Sequence, residues 1–192
     1  TRLDLEGMRD GITFTDVIGL SITDSYIHDF KPWLVGSIKD HPDMIQYWGK
    51  YGTLGNHDVT IQGNVFEQST GWTQTIFGEM RKSPPGITAT DFHILDNIII
   101  NGQQNAVRLD GVDRAQVENN LFLPNVAGGN FPRIDPSYMT NYTVTGNVLS
   151  ESGVARLENL SQFGTRIDRV PVTGSAVLSP GQRIEIGKAT VL

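Results

Sequence analysis

The densest cluster of side chains capable of chemistry is the run KDHPDMIQYW at positions 39–48, which holds Asp40, His41, Asp43, Gln46, Tyr47 and Trp48. A histidine between two carboxylates is suited to act as a general base or a metal ligand. The plainer alternative is a His-Pro loop whose carboxylates cap a turn. A second cluster is RLDGVDR at 108–114, with Arg108, Asp110, Asp113 and Arg114. Two arginines among two aspartates can grip a sugar acid, because a guanidinium pairs bidentately with a carboxylate. The alternative is an exposed ladder of ion pairs that contributes little. A third is GEMRKS at 78–83, where Glu79, Arg81 and Lys82 ride a loop closed by prolines, either contacting a ligand or simply solvated. Trp33, Trp48 and Trp72 lie near these segments, and flat aromatic faces suit the apolar faces of sugar rings. Trp33 and Trp72 have a second role open to them, plugging loops onto the body of the protein. His28, His57 and His93 have no clustered partners and are expected to be structural. There is no metal-ligand spacing, nucleophile elbow or phosphate-binding glycine loop, so no cofactor is expected; calcium held by aspartates of neighbouring repeat units is the exception left open.

These residues must be positioned by a repeat. An Asn recurs inside one apolar frame in VTIQGNVF (59–66), FHILDNII (92–99), AQVENNLF (115–122) and YTVTGNVL (142–149), with LSITDSYI (20–27) as a degenerate copy. Counted from Asn64, Asn97, Asn120, Asn147 and Ser25, the residues five and three before and one and two after are almost all apolar. A second element precedes each frame: Ile12, Val107 and Ile134 stand 13 residues ahead, Ile45 and Ile76 stand 19 and 21 ahead. One unit is then a short strand, a turn, a longer strand, a polar corner and a third short strand. That is the coil of a parallel β-helix, in which coils stack at about 4.8 Å. Asn suits the stacked corner because its side chain bonds backbone locally, bonds its equivalents above and below, and tolerates a left-handed backbone.

Composition agrees with that architecture. The chain has 192 residues, 38% of them hydrophobic, enough for one sizeable domain, and 21 glycines to punctuate corners. A net charge of −6 argues against nucleic acid or an anionic membrane as the main partner. The absence of Cys removes disulfides and thiolate chemistry. No signal peptide is visible and no apolar run is long enough to span a bilayer, so no membrane insertion is expected. The chain opens on LDLEG without Met, as a processed or excised piece would.

The units are not equal. The spacing from Asn97 to Asn120 is 23 residues, against 39 from Ser25 to Asn64 and 33 from Asn64 to Asn97. The extra residues fall at about 31–42, 49–56, 79–90 and 125–131, all flanking the first strand of a coil. Insertions in solenoids form loops on one face, often the binding face. Two walls of loops around one sheet make a groove, floored by the outward residues of the first strands. If Ile45, Ile76 and Val107 point in, then Gln46, Trp48, Thr75, Phe77, Arg108 and Asp110 point out, and Tyr47 points in. The repeat fades after about residue 153. GVARLENLSQFG is one further coil at most, so residues 1–160 are assigned to an all-β parallel solenoid of about six coils. Residues 161–192 are assigned to a cap, an oligomer contact or a connecting segment.

The Asn frames together with DHPDMIQYW resemble the right-handed parallel β-helix superfamily of pectate lyases, polygalacturonases, alginate epimerases and lyases, and bacteriophage spike and tail proteins. The resemblance spans about residues 8–160. It implies carbohydrate as the partner, lying along the groove, and an extracellular or virion-surface location. Homotrimers, or membership of a larger assembly, are a further implication. For lyase or epimerase chemistry the resemblance would assign charge neutralisation to Arg108 and proton movement to His41 or Tyr47, with Asp43 and Asp110 beside them. The Asp-Pro-His motif of alginate epimerases is not present; His41-Pro42-Asp43 has the reversed order. The expected catalytic residues are therefore His41, Asp43, Arg108 and Asp110, and the expected sugar contacts are Gln46, Trp48, Trp72, Phe77, Glu79 and Arg81. The leading expectation is a module that binds a cell-surface polysaccharide; the alternatives are a polysaccharide lyase, epimerase or glycosidase, and a structural solenoid contacting a protein.

Overall fold

A computed structural model describes residues 2–31, 34–35, 38–39, 42–69, 73–125, 131–136, 138–149, 155–158, 165–167, 169–171, 175–178, 184–186 and 189–191. It divides into two compact units, Thr1–Leu149 and Ser150–Leu192. The described residues are all strand, turn and irregular chain, with no helix.

The first unit opens with β1 (Asp4–Glu6), followed by five coils of three strands. They are β2 (Ile12–Phe14), β3 (Ile18–Thr23) and β4 (Tyr26–His28); then, after a small hairpin of β5 (Leu34–Val35) and β6 (Ile38–Lys39), β7 (Asp43–Trp48), β8 (Asn56–Gln62) and β9 (Val65–Glu67). The third coil is β10 (Gln74–Glu79), β11 (Ala89–Leu95) and β12 (Ile98–Asn101), and the fourth is β13 (Asn105–Asp110), β14 (Val112–Glu118) and β15 (Leu121–Pro124). The fifth is β16 (Arg133–Asp135), β17 (Thr143–Thr145) and β18 (Val148–Leu149). Like strands stack into three parallel sheets: sheet A of six (β1, β4, β9, β12, β15, β18), sheet B of five (β2, β7, β10, β13, β16) and sheet C of five (β3, β8, β11, β14, β17). This is the connectivity expected of a parallel β solenoid. The first-strand residues align as expected, with Ile12, Ile45, Ile76, Val107 and Ile134 at one register of sheet B.

The corner between sheets C and A carries the repeat. The Ser25 N–H donates to Asn64 Oδ1 (3.0 Å), Asn64 N–H to Asn97 Oδ1 (3.0 Å), Asn97 N–H to Asn120 Oδ1 (2.9 Å) and Asn120 N–H to Asn147 Oδ1 (2.9 Å). Each side-chain Nδ2 also reaches back to the preceding coil, Asn64 to Ile22 O, Asn97 to Ile61 O, Asn120 to Ile94 O and Asn147 to Val117 O. Asn64, Asn97 and Asn120 are 1% exposed, so an unsatisfied amide there would be costly. The left-handed residue is not the Asn, as expected from sequence, but the one before it: Asp24, Gly63, Asp96, Asn119 and Gly146, at φ of 51–67°. Those are the residue types that occupy the left-handed region at least cost.

The frame also divides differently from its apolar pattern. The positions five and three before the Asn and two after it face the core, for example Val59, Ile61 and Phe66, or Phe92, Ile94 and Ile99. The position one after, Val65, Ile98 and Leu121, is half-buried and forms an outer row on sheet A. Tyr47 is fully buried as alternation requires, its ring stacked near Phe14 (5.9 Å) and tilted on Phe92 (4.9 Å). A Cβ on Gly78 would come within 1.9 Å of that ring, so the neighbouring coil makes room with glycine. Sheet C holds a second aligned row of left-handed residues, Gly19, Asp58, Asp91, Arg114 and Asn141, which no sequence period announced. Arg114 is the unfavourable member, and it is held by a two-pronged ion pair to Asp91 at 2.6 and 2.7 Å.

The second unit has strands β19 (Ala155–Glu158), β20 (Thr165–Ile167), β21 (Val170–Pro171), β22 (Ser175–Leu178), β23 (Ile184–Ile186) and β24 (Ala189–Val191). Among the described residues its pairings are antiparallel, including that of β19 with β22. The stretch 153–164, taken from sequence as at most one further parallel coil, thus contributes a strand of different pairing.

The ladder sets a stability test. Asn97→Ala removes two donated and two accepted hydrogen bonds at a fully buried corner, at a cost of about 3 kcal/mol. Asn147→Ala, at a half-buried corner of the largely exposed last coil, costs about 1 kcal/mol. Chemical denaturation of the two variants measures both, and equal midpoints would refute a cooperative ladder.

Candidate functional site

The loops that exceed the minimal coil enter and leave sheet B: residues 49–55 and 80–88 on the side leading to sheet C, residues 29–42 and 125–132 on the side arriving from sheet A. Parallel register then lays the outward residues of sheet B in rows. One row is Thr13, Gln46, Phe77, Arg108 and Asp135; a second is Trp48, Glu79 and Asp110. Beside the second row lies a cleft of about 270 Å³ lined by Trp48, Lys50, Tyr51, Glu79 and Lys82.

Within these rows the polar groups engage one another. The Trp48 indole N–H donates to Gln46 Oε1 (3.1 Å), and the Gln46 amide donates to the Asp43 carboxylate. The Arg108 guanidinium lies over the Phe77 ring at 5.5 Å and is loosely paired with Asp110 (3.9 Å) and Asp135 (3.8 Å). Lys82 pairs with Glu79 at 3.0 Å, and Lys50 sits 5.0 Å from the centre of the Tyr51 ring. Arg81 reaches from the 80–88 loop over the fourth coil, donating through Nε to Asp110 Oδ2 at 2.5 Å while its guanidinium covers the Tyr138 ring at 4.0 Å.

Asp110 is the electrostatic centre of this arrangement. It lies in the outward row, yet Arg81 covers it and it is 1% exposed. Its Oδ1 is buried without a hydrogen bond. Burial pushes its carboxyl above the ordinary aspartate range, against the opposing pull of Arg81. The expected solvent-facing role of Asp110 is thereby corrected. Thr75, also expected to face out, is fully buried, its hydroxyl taken by the corner amide of Asn101 at 2.8 Å.

The structure separates other residues that the sequence grouped. Asp43 is 1% exposed at the start of β7, whereas Asp110 ends β13 two coils away, so roughly 10 Å of stacking alone divides them. Asp43 and Asp110 therefore do not share one ligand position. RLDGVDR does not form a single grip either: Gly111 turns the chain, leaving Arg108 and Asp110 on sheet B and Asp113 and Arg114 on sheet C. There Arg114 bridges Asp91 and Asp113 on an exposed surface, the ion-pair ladder that was the alternative reading. Tyr47 cannot move a substrate proton, because burial raises its hydroxyl well above the ordinary tyrosine value and its ring fills the core. His41, Trp33 and Trp72 lie outside the described residues. The remaining expected contacts, Gln46, Trp48, Phe77, Glu79 and Arg81, all belong to the sheet B rows and their bordering loop. Sequence reasoning missed Lys50, Tyr51 and Tyr138, although the first two sit in an insertion it had marked. Among the described residues no group of three or more His, Asp or Glu is placed to hold a metal ion.

The loop bearing Tyr51 is anchored by Asp16, whose carboxylate accepts the N–H groups of Thr53, Leu54 and Gly55 and the Thr53 hydroxyl. Those backbone bonds lower the Asp16 carboxyl to about 2. No protein-family model, curated protein or solved structure matches the chain.

Two measurements follow from these carboxylates. Because Asp16 is lowered, its contribution is complete above the ordinary aspartate value near 3.8 and fades as pH falls through about 2. Exchange of the Thr53, Leu54 and Gly55 amides, corrected for intrinsic rates, should accelerate over that range and should be fast at every pH in Asp16→Ala. Asp110 has the opposite sign: its raised value means the folded protein binds that proton more tightly, so the ionised form opposes folding at neutral pH. Asp110→Asn, which still accepts from Arg81, should melt no lower than the parent protein at pH 7, and a clear drop would refute the description of Asp110 as strained.

Proposed function

We propose that the first unit is a right-handed parallel β-helix of the pectate lyase-like kind, which binds a cell-surface polysaccharide along the outer face of sheet B. It would act as a secreted or virion-surface module, as a homotrimer or within a larger assembly. The handedness follows the general rule for strand–crossover–strand connections between parallel strands. The observation that carries the reading is the row structure: the aromatic faces of Trp48 and Phe77 stand on adjacent coils among Gln46, Glu79 and Arg108, with Tyr51 in the bordering cleft. Aromatic faces beside hydrogen-bonding groups match the two kinds of surface on a sugar ring. Arg81 is engaged by Asp110, and Arg108 stands between Asp110 and Asp135. Two guanidiniums of this face, Arg81 and Arg108, are thus already engaged by aspartates, and the net charge is −6. Neutral sugars fit this balance better than strongly acidic ones.

One observation favours a second reading, a glycosidase. Glu79 and Asp110 are in register on adjacent coils, one at the lip of the cleft and the other buried with a raised carboxyl. Two carboxylates in unlike environments are the pattern of an acid and a base. It requires Arg81 to swing off Asp110.

A panel of neutral and acidic bacterial polysaccharides, followed for binding and for chain cleavage, tests both readings. Binding weakened about tenfold by Trp48→Ala, the loss of one stacked aromatic, is the expected result. Cleavage abolished in Glu79→Gln and Asp110→Asn with binding retained would establish the second reading. Binding to no polysaccharide would overturn both and favour the structural solenoid.

A further inference from the structure

His28, set aside in the sequence for want of partners, bridges two carboxylates. Its Nδ1 lies 3.0 Å from Asp29 Oδ2 and its Nε2 lies 3.0 Å from Asp4 Oδ1. A neutral imidazole has one N–H and one lone pair, so it can donate to only one of these oxygens and would turn its lone pair on the other. Only the imidazolium satisfies both. The Tyr26 ring lies flat against the imidazole, with centroids 3.8 Å apart and planes 14° apart, a geometry that favours a cation.

The groups around it come from three strands. On β1, Asp4 bonds the ring and Glu6 is its register partner. On β9, Glu67 is its partner on the other side and accepts the Tyr26 hydroxyl at 2.7 Å. On its own strand and just beyond stand Tyr26 and Asp29, the latter also holding the Ser69 hydroxyl at 2.5 Å. A cation, Lys31, lies beside Gly7. Two carboxylates thus contact one ionisable ring, and two more stand at its register on the flanking strands.

We propose that protonated His28 is a latch that fastens β1 to the first complete coil through Asp4, and that deprotonation loosens this junction and uncovers the hydrogen-bonding edge of β4. The proposal is independent of the carbohydrate reading, because the latch lies on sheet A. Burial disfavours the charge, but the hydrogen bonds to Asp29 and Asp4 outweigh it and hold the His28 proton above the ordinary histidine value of 6.5. A raised folded-state value means the stabilisation is complete below 6.5 and is lost as pH rises through the folded value. Asp29 is lowered by its bonds to Ser69 and His28, so it stays ionised throughout.

The junction has its own reporters. The Tyr26 N–H donates to Leu3 O (2.9 Å) and the Gly7 N–H to Asp29 O (3.2 Å). Hydrogen exchange of these two amides, corrected for intrinsic pH dependence, should quicken at least about threefold from pH 6 to pH 9. The Leu121 amide, bonded to Asn97 O three coils away, serves as the control and should not move. In His28→Gln, which keeps one donor and cannot titrate, the pH dependence should vanish. Exposed Asp4 offers a milder variant: Asp4→Asn should lower the His28 titration point read by NMR. Flat exchange in the parent protein, pH dependence persisting in His28→Gln, or an unchanged titration in Asp4→Asn would each overturn the latch.

Discussion

Parallel stacking leaves a backbone N–H at each tight corner with no strand to pair with, and that unmet donor is the constraint on which the first unit depends. In water it would be harmless. Between coils it is buried, and it must be satisfied at a fixed distance and direction. The amide of Asn does so from the next coil, accepting with Oδ1 and donating with Nδ2 to the coil before. Each corner is thereby tied to two neighbours, and slippage by one residue in any strand would break bonds on both sides. Register in all three sheets follows from that, and alignment of the outward rows follows from register.

The proposed ligand face inherits its order from the corner. Nothing about Gln46, Phe77 and Arg108 makes them neighbours except that Ile45, Ile76 and Val107 are held level beneath them. What the face adds is strain. A buried carboxylate with one strong partner and one unpaired oxygen is a poor choice for stability and a common one where chemistry or recognition is needed. The strap formed by Arg81 and Tyr138 offsets this by tying the third, fourth and fifth coils together over Asp110.

The period was legible because it is local in chemistry: a polar residue with high corner preference inside an apolar frame, repeated. The elements that precede it were legible for the same reason, and Ile12, Ile45, Ile76, Val107 and Ile134 align as the spacing required. Facing was less legible. Val65, Ile98 and Leu121 are apolar like their neighbours but follow the corner directly, so they emerge on the outside, and hydrophobicity alone does not reveal that. Asp110 shows the same limit from the other side. Alternation correctly placed it outward, but its cover comes from Arg81 in the preceding coil and Tyr138 in the following one. The left-handed row on sheet C was hidden by Arg114, whose type does not suit the position until Asp91 is seen beside it. His28 was missed because only one of its partners, Asp29, is adjacent in the chain.

The corner ladder has a consequence for how the chain can change in length. The residues after Asn97 up to and including Asn120 form one unpadded period of 23, beginning and ending at equivalent atoms of the ladder. Excising or duplicating that stretch joins Asn to the residue that normally follows an Asn, so every downstream coil keeps its reading frame. The solenoid therefore behaves as a series of interchangeable cassettes: its length is quantised in whole coils, while loops between them vary freely. A binding face built on such a stack can gain or lose one step of its row without refolding the rest.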